Sequence, residues 1–308
     1  MLSMHRLSSI ALLALFFLGP VAFGAEGNFT ERYDTPYNNL TIEKIGTVVE
    51  LRARSRAGVY LESAVDLADP LRLVVPYTQT LFSAAFFEPK PKAVLMIGLG
   101  GAGFHRVFAH GYPDALLQSV ELDPKVFELS RTHMAFQPTE KTPVAMMDGR
   151  LFVKRSKQTW DWIILDAFRS GFVPPHLKTQ EFYRECAARL SERGVFVSNL
   201  HATTKLYESD LKTIQSVFPQ VALFQTTARI NVIAVAVKYR APPIALGNVL
   251  SRAPLDNPAL AARVDFKMLA GERIELPPIA GKSVRILTDD FSPVEFLDAM
   301  KVNNTKDH

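Results

Sequence analysis

A glycine-rich loop and three acidic residues, each at the end of a short apolar run, carry most of the chemistry this sequence offers. The run Ala93–Ile97 leads into Gly98-Leu99-Gly100-Gly101-Ala102-Gly103, which holds the spacing G-x-G-x-x-G at 98, 100 and 103. Glycines let a backbone turn tightly between strand and helix and approach a ligand closely. Glu121 lies 23 residues after Gly98, in the run Leu117–Leu122, where a carboxylate can accept both hydroxyls of a ribose. Asp148, followed by Gly149, comes after Val144–Met147 and can accept a hydrogen bond from the exocyclic amine of adenine. Asp166 follows Trp162–Leu165 and can take a proton from an attacking nucleophile. Gly98, Gly100, Gly101, Glu121, Asp148 and Gly149 are thus the candidate nucleoside-binding residues, and Asp166 the candidate catalytic one. Each also has a plain structural reading: a tight turn for the glycines, a turn or helix cap for Asp148, a loop cap for Asp166. The glycine spacing serves dinucleotides and S-adenosyl compounds alike. The acid at 148, which dinucleotide folds do not require, favours an S-adenosyl compound.

Bringing these groups to one edge requires strands and helices in alternation. Apolar runs suited to buried strands occur at Ala93–Ile97, Leu117–Leu122, Val144–Met147, Trp162–Leu165 and Val195–Asn199, with closing strands at Val221–Gln225 and Ile230–Val237. Helical spacing occurs at Gly103–His110, at Pro124–His133 with Asp123 as N-cap, and at Leu206–Val217. A further helix over Thr179–Arg193 is expected to stop at Gly194. This order predicts an α/β fold: a Rossmann-like, doubly wound, mainly parallel sheet. Before it, short alternating runs between Tyr37 and Leu73 predict a small antiparallel sheet. Residues 25–36 read as a polar, flexible lead-in, and Tyr77–Phe87 as a linking helix.

The chain has 308 residues, with 35 Lys and Arg against 31 Asp and Glu, a formal net charge of +4. The excess is small and scattered, so no nucleic-acid surface is expected. With 48% hydrophobic and 21% charged residues the composition is globular, which excludes disorder, collagen and coiled coil as global classes. Cys186 is the single cysteine, so an internal disulfide and a cysteine-based zinc cluster are excluded. The histidines are dispersed and no metal is assigned. At the N-terminus, Arg6 precedes the apolar run Leu7–Phe23, and Ala22-Phe23-Gly24 offers small residues at a cleavage site. That pattern predicts a signal peptide over 1–24 and export to a periplasm; an uncleaved anchor formed by residues 7–23 is the alternative. Membrane contact is expected only through an uncleaved leader. The chain then divides into a small β domain with its linking helix (25–88), a Rossmann-like nucleoside-binding domain (89–240) and a C-terminal extension (241–308).

Gly98–Gly103, Val120-Glu121-Leu122-Asp123, Asp148-Gly149 and Ile164-Leu165-Asp166 together resemble the spermidine synthase (polyamine aminopropyltransferase) family, most specifically from Tyr77 to Asn199. The tail Leu287-Thr288-Asp289-Asp290 with Pro293-Val294-Glu295 is similar to that of the bacterial spermidine synthase-like branch, including forms fused to membrane transporters. The resemblance implies a small β domain before a Rossmann-like domain. It also implies transfer of an aminopropyl group from decarboxylated S-adenosylmethionine to a diamine. Glu121 would bind the ribose, Asp148 the adenine amine, and Asp166 would accept the proton. The S-adenosyl compound would be a co-substrate rather than a tightly bound cofactor, and a homodimer is compatible with the family.

Three departures bear on the acceptor. The family's Gly-Gly-Gly-Asp-Gly has Gly101 at its aspartate here. Its second acid after the catalytic strand is replaced by Arg169, and its Tyr-His-Glu is Tyr77-Thr78-Gln79. Amines titrate near pH 10, so a diamine is dicationic at neutral pH. Arginine in place of an acid turns about 4 kcal/mol of attraction at ~4 Å into similar repulsion, at an effective dielectric near 20. The expectation is a diverged acceptor site in which Tyr77, Arg169 and Asp289 contact substrate, with Arg169 receiving a carboxylate such as that of S-adenosylmethionine. Three functions fit: an aminopropyl transfer with a changed acceptor, an S-adenosylmethionine-dependent methyl transfer, and an exported binding protein without turnover.

Overall fold

The computed structural model describes residues 27–55, 58–169, 171–239, 248–279 and 284–292. The leader and the run Pro293-Val294-Glu295 lie outside the described residues.

The chain begins with a four-stranded antiparallel meander: β1 (Phe29–Asp34), β2 (Asn39–Ile45), β3 (Val48–Ser55) and β4 (Gly58–Asp66). β1 falls where a flexible lead-in was expected. It is an edge strand whose inner face, Phe29, Glu31 and Tyr33, is only partly buried and is interrupted by an acid, so its alternation is weak in the sequence. β3 and β4 pair in register except at one place. Leu51 faces Ser63 and Arg52 faces Leu61, so Glu62 is the extra residue of a β-bulge.

The linking segment is a short α1 (Pro76–Thr80) that tightens into a 3₁₀ turn over Leu81–Phe86, all six residues of which are buried. Then follow β5 (Ala93–Ile97), α2 (Gly103–Gly111), β6 (Leu116–Glu121), α3 (Pro124–Thr132), β7 (Val144–Met146), α4 (Gly149–Arg155), β8 (Trp160–Leu165), α5 (Gln180–Arg189), β9 (Leu190–His201), α6 (Tyr207–Gln215), β10 (Gln220–Gln225) and β11 (Asn231–Val237). Two short helices, α7 (Pro258–Ala261) and α8 (Phe266–Gly271), precede β12 (Arg273–Ile274). The eight-stranded sheet runs β12-β10-β11-β9-β8-β5-β6-β7. β7, β6, β5, β8 and β9 are parallel, and β11, β10 and β12 join by antiparallel pairing. The architecture is the Rossmann-like one expected, in the arrangement of S-adenosyl-dependent transferases.

One helix is shorter than its sequence pattern. α5 ends at Arg189, and Gly194 lies inside β9 rather than stopping a helix. Leu190 is buried and pairs with Trp160; the next partner pair is Trp162 with Val195, so Ser191–Gly194 form an irregular stretch of strand. Tertiary pairing overrides helical propensity there.

Each face of the large sheet carries its own core. On one, Phe82, Phe104 and Phe108 stack beside Trp162, with the Phe82 and Phe104 rings 4.4 Å apart. On the other, Tyr183, Phe196 and Phe218 pack together. The small sheet has a third core of its own. Leu40, Ile42, Leu51 and Val65 meet Val126 and Leu129 of α3 and Met134 just beyond it. That packing holds the meander over the carboxyl ends of the parallel strands.

Candidate active site

Strand order reverses between β5 and β8, where β6 and β7 continue to one side and β9 to the other. Ligands of open α/β sheets bind in the crevice outside such a switch point. A cavity opens there, walled by the ends of β5, β6, β7 and β8 and roofed by β4 and the turn between β1 and β2. Gly98 leaves β5 at φ 108°, and a Cβ on it would lie 2.2 Å from the carbonyl oxygen of Asp166. The crossing of the two strand ends therefore requires glycine for both conformation and space.

Glu121 closes the glycine loop. Its Oε2 accepts from Leu99 N at 3.1 Å, and its Oε1 from Leu122 N and Asp123 N at 2.8 and 2.9 Å. Burial pushes its carboxyl up to about 7, and the three N–H donors oppose the rise. Asp148 caps α4, accepting from Leu151 N at 2.9 Å, and its other oxygen lies 2.7 Å from His176 Nε2. The bond to His176 is the main cause of its lowered pKa. Asp148 thus serves the cap role and lines the cavity as well. Asp166 accepts from Asn199 Nδ2 at 2.9 Å, and the Tyr77 phenol lies near it. Burial raises its carboxyl to about 6, and Asn199 and Tyr77 oppose the rise. Asn199 is held in turn by Asn231 Nδ2 at 2.9 Å, so a buried amide chain fixes the Asp166 carboxylate from behind. Tyr77 is buried on α1, and burial followed by the nearby Asp166 and Glu62 raises its phenol well above the ordinary value.

Gly98, Gly100 and Gly149 line this cavity along with the three acids and Tyr77. Three expectations are corrected. Gly101 is not among the lining residues: a Cβ there would meet Met134 Cε at 2.4 Å and Ser63 Oγ at 2.6 Å, so it faces the small sheet. Asp289 also lies away from the cavity. It accepts from Arg150 at 2.6 and 2.8 Å and from Thr179 Oγ1 at 2.7 Å, which docks the tail on α4 and α5. Arg169 does border the cavity, but its guanidinium is spent on main chain, donating to the carbonyls of Tyr37 at 2.9 Å and Pro36 at 3.4 Å. It ties the loop after β8 to the roof and is not aimed at an anion.

Sequence reasoning missed Glu62. It stands on β4, lines the cavity and has a buried Oε1 without a hydrogen-bond partner. Burial raises its carboxyl to about 8, and Asp166 and Glu121 add to the rise. The signal was an acid at the point where the alternation of β4 breaks, between the buried pairs Tyr60-Leu61 and Ala64-Val65.

The fold and the crevice define a class: a transferase-type Rossmann fold with acids at three successive strand ends around one cavity. The chain matches the spermine/spermidine synthase domain over residues 76–237 and belongs to that family. A polyamine aminopropyltransferase of Vibrio vulnificus is 32% identical over 235 residues, covering 73% of this chain and 76% of that one. A probable spermidine synthase from Corynebacterium glutamicum superposes with a TM-score of 0.63 at 19% identity, over 82% of this chain and 98% of that chain. A spermidine synthase solved with the transition state analogue AdoDATO gives a TM-score of 0.56 at 22% identity, over 69% of this chain and 74% of that one. The structural likenesses show the fold.

Proposed function

We propose that the protein binds an S-adenosyl nucleoside in the crevice and transfers its aminopropyl group to an amine. The observation that carries this reading is the placing of Glu121 and Asp166 in the lining of one cavity, with the backbone of Leu99 pinned to Glu121 and Asn199 bonded to Asp166. The family and the neighbour solved with AdoDATO support it. In the step, the amine nitrogen forms a bond to the aminopropyl carbon attached to the sulfonium. The carbon–sulfur bond breaks, and its electron pair stays on sulfur as a neutral thioether. The amine proton passes to the Asp166 carboxylate. A carboxylate raised to about 6 is largely ionised at neutral pH and is a better base than an exposed one. Glu121 holds the ribose, Asp148 the adenine amine, and Gly98 and Gly100 let the nucleoside lie against the loop. Arg169 adds no pull toward a carboxylate-bearing ligand, because it is engaged with the roof. Export through the leader over residues 1–24 is part of the same proposal and rests on the sequence pattern alone.

Calorimetry on the purified protein tests the reading with S-adenosylmethionine, its decarboxylated form and methylthioadenosine. All three are expected to bind, and Glu121→Ala is expected to lose about 100-fold, since two hydrogen bonds to a charged group are removed. Incubation with decarboxylated S-adenosylmethionine and an amine should yield an aminopropylated amine and methylthioadenosine. A methylated product from S-adenosylmethionine would instead establish methyl transfer, and no nucleoside binding at all would leave a binding protein of another kind.

A further inference from the structure

The bulge in β4 places an acid that the sheet would otherwise turn away. In a regular strand, successive side chains alternate between faces, and a residue between Leu61 and Ser63 would follow that alternation. Here Leu61 pairs with Arg52 and Ser63 with Leu51, leaving Glu62 unpaired with its side chain in the cavity wall. Bulges concentrate beside active sites because they re-aim one side chain. Two contacts fix this one: the Tyr77 hydroxyl approaches the Glu62 carbonyl at 3.5 Å, and the neighbouring Ser63 packs over the glycine loop at Gly100 and Gly101. Glu62 is therefore held between the loop and Tyr77, on the roof side of the same space that Asp166 faces from below.

Its carboxyl has no partner among the described residues. Glu62 Oε1 is buried and unbonded. The basic residues that line the cavity are all committed elsewhere: Arg169 to the roof carbonyls, His105 to Ser119 Oγ at 2.6 Å, and His176 to Asp148. Glu121 accepts from three backbone N–H groups and Asp166 from Asn199, so neither carboxylate offers Glu62 a cation. An ionised carboxylate left in such a place is costly unless a cation joins it. A cationic ligand supplies that partner, and the amine acceptor is such a cation.

We infer that Glu62 is the specificity-determining acid of the acceptor site. It holds the second ammonium of the diamine acceptor that the family implies, whose reacting amine lies at Asp166. The inference rests on the functional reading above and adds the residue that selects the acceptor. It also accounts for the site's departures at positions 101 and 169: the cation-binding acid comes from the roof instead of the floor. Glu62 takes no part in bond making; its carboxylate orients the substrate through the far ammonium.

The test uses the purified protein, with methylthioadenosine filling the nucleoside site. 1,4-Diaminobutane and n-butylamine are the probes, in binding by calorimetry and in turnover with decarboxylated S-adenosylmethionine. The wild type should prefer the diamine by about 100-fold, the scale of one buried charge-assisted contact. Glu62→Gln should erase that preference through KM for the diamine, with n-butylamine KM and methylthioadenosine affinity changing far less. Glu62→Asp, which keeps the charge, should retain part of the preference. A thermal melt of Glu62→Gln should show it folded, since the amide keeps the shape of a buried carboxyl that has no partner. A diamine preference that survives Glu62→Gln overturns the inference while leaving the nucleoside reading intact. Failure of the wild type to bind methylthioadenosine overturns the functional reading itself, and the inference with it.

Discussion

Burial raises the carboxyl groups of Asp166, Glu121 and Glu62 to about 6, 7 and 8 respectively. Unfolded, each titrates near its ordinary value of about 4. Between about pH 4 and 8 the folded protein therefore binds more protons than the unfolded chain, and its stability falls as pH rises through that window. The groups around them are Tyr77, Asp123, Asp148, His105, His176 and Arg169. Of these, His105 is pushed down to about 3 by burial and stays neutral throughout. The ligand-free protein is thus expected to melt at progressively lower temperature from pH 5 to pH 8. Glu62→Gln should flatten the upper part of that fall. Melting curves at unit intervals check it, and parallel curves for the two proteins above pH 6.5 would mean that Glu62 carries no buried charge. The same residues show what the sequence could reveal. Glu121, Asp148 and Asp166 were legible as acids of the cavity wall because each stands at the end of a strand of the large sheet. Glu62 was not, because an acid within an alternating strand reads as solvent-facing until the bulge is seen.

Among the elements, α4 joins site to scaffold. Its first residue follows Asp148, and Arg150 on its first turn bridges Glu185 of α5 and Asp289 of the tail. Gln180 N donates to the Leu287 carbonyl at 2.8 Å and Asp289 N to Glu181 Oε2 at 3.1 Å, so the tail is laced to the start of α5. Asp289→Ala is expected to cost about 1 kcal/mol, discounted from a buried charged contact because Asp289 is half-exposed. It should leave nucleoside and amine binding unchanged. Denaturant melts and calorimetry on the same variant separate this role from substrate contact, which would instead raise KM at constant stability. β5, β6, β8 and β9 could be read from the sequence because strands buried on both faces are continuously apolar. The edge strand β1 lacks that pattern. The α5–β9 boundary was misplaced because only long-range pairing with β8 reveals that Leu190 is already strand.

The whole molecule is a meander clamped onto a Rossmann-like body, with the cavity between them. Three contacts make the clamp. Apolar residues of β2 and β3 pack on Val126 and Leu129 of α3. Asp123, the N-cap of α3, also accepts from Thr35 Oγ1 at 2.7 Å and Asn38 Nδ2 at 3.0 Å. Arg169 binds the carbonyls of Pro36 and Tyr37. The first two fix the roof at the β6 side and the third at the β8 side, so the loop after the proposed base and the turn above it move as one. Removing Arg169 should loosen the roof without altering the charge balance at Glu62 and Asp166, because its guanidinium is directed at main chain. Arg169→Ala is therefore expected to weaken S-adenosylmethionine and its decarboxylated form by the same factor, about threefold to tenfold, the worth of one or two ordinary hydrogen bonds. Faster nucleoside dissociation should account for most of it. The equality of the two losses is the decisive quantity. A guanidinium that gripped the carboxylate of S-adenosylmethionine would cost that ligand alone, whereas a strap on the roof costs both.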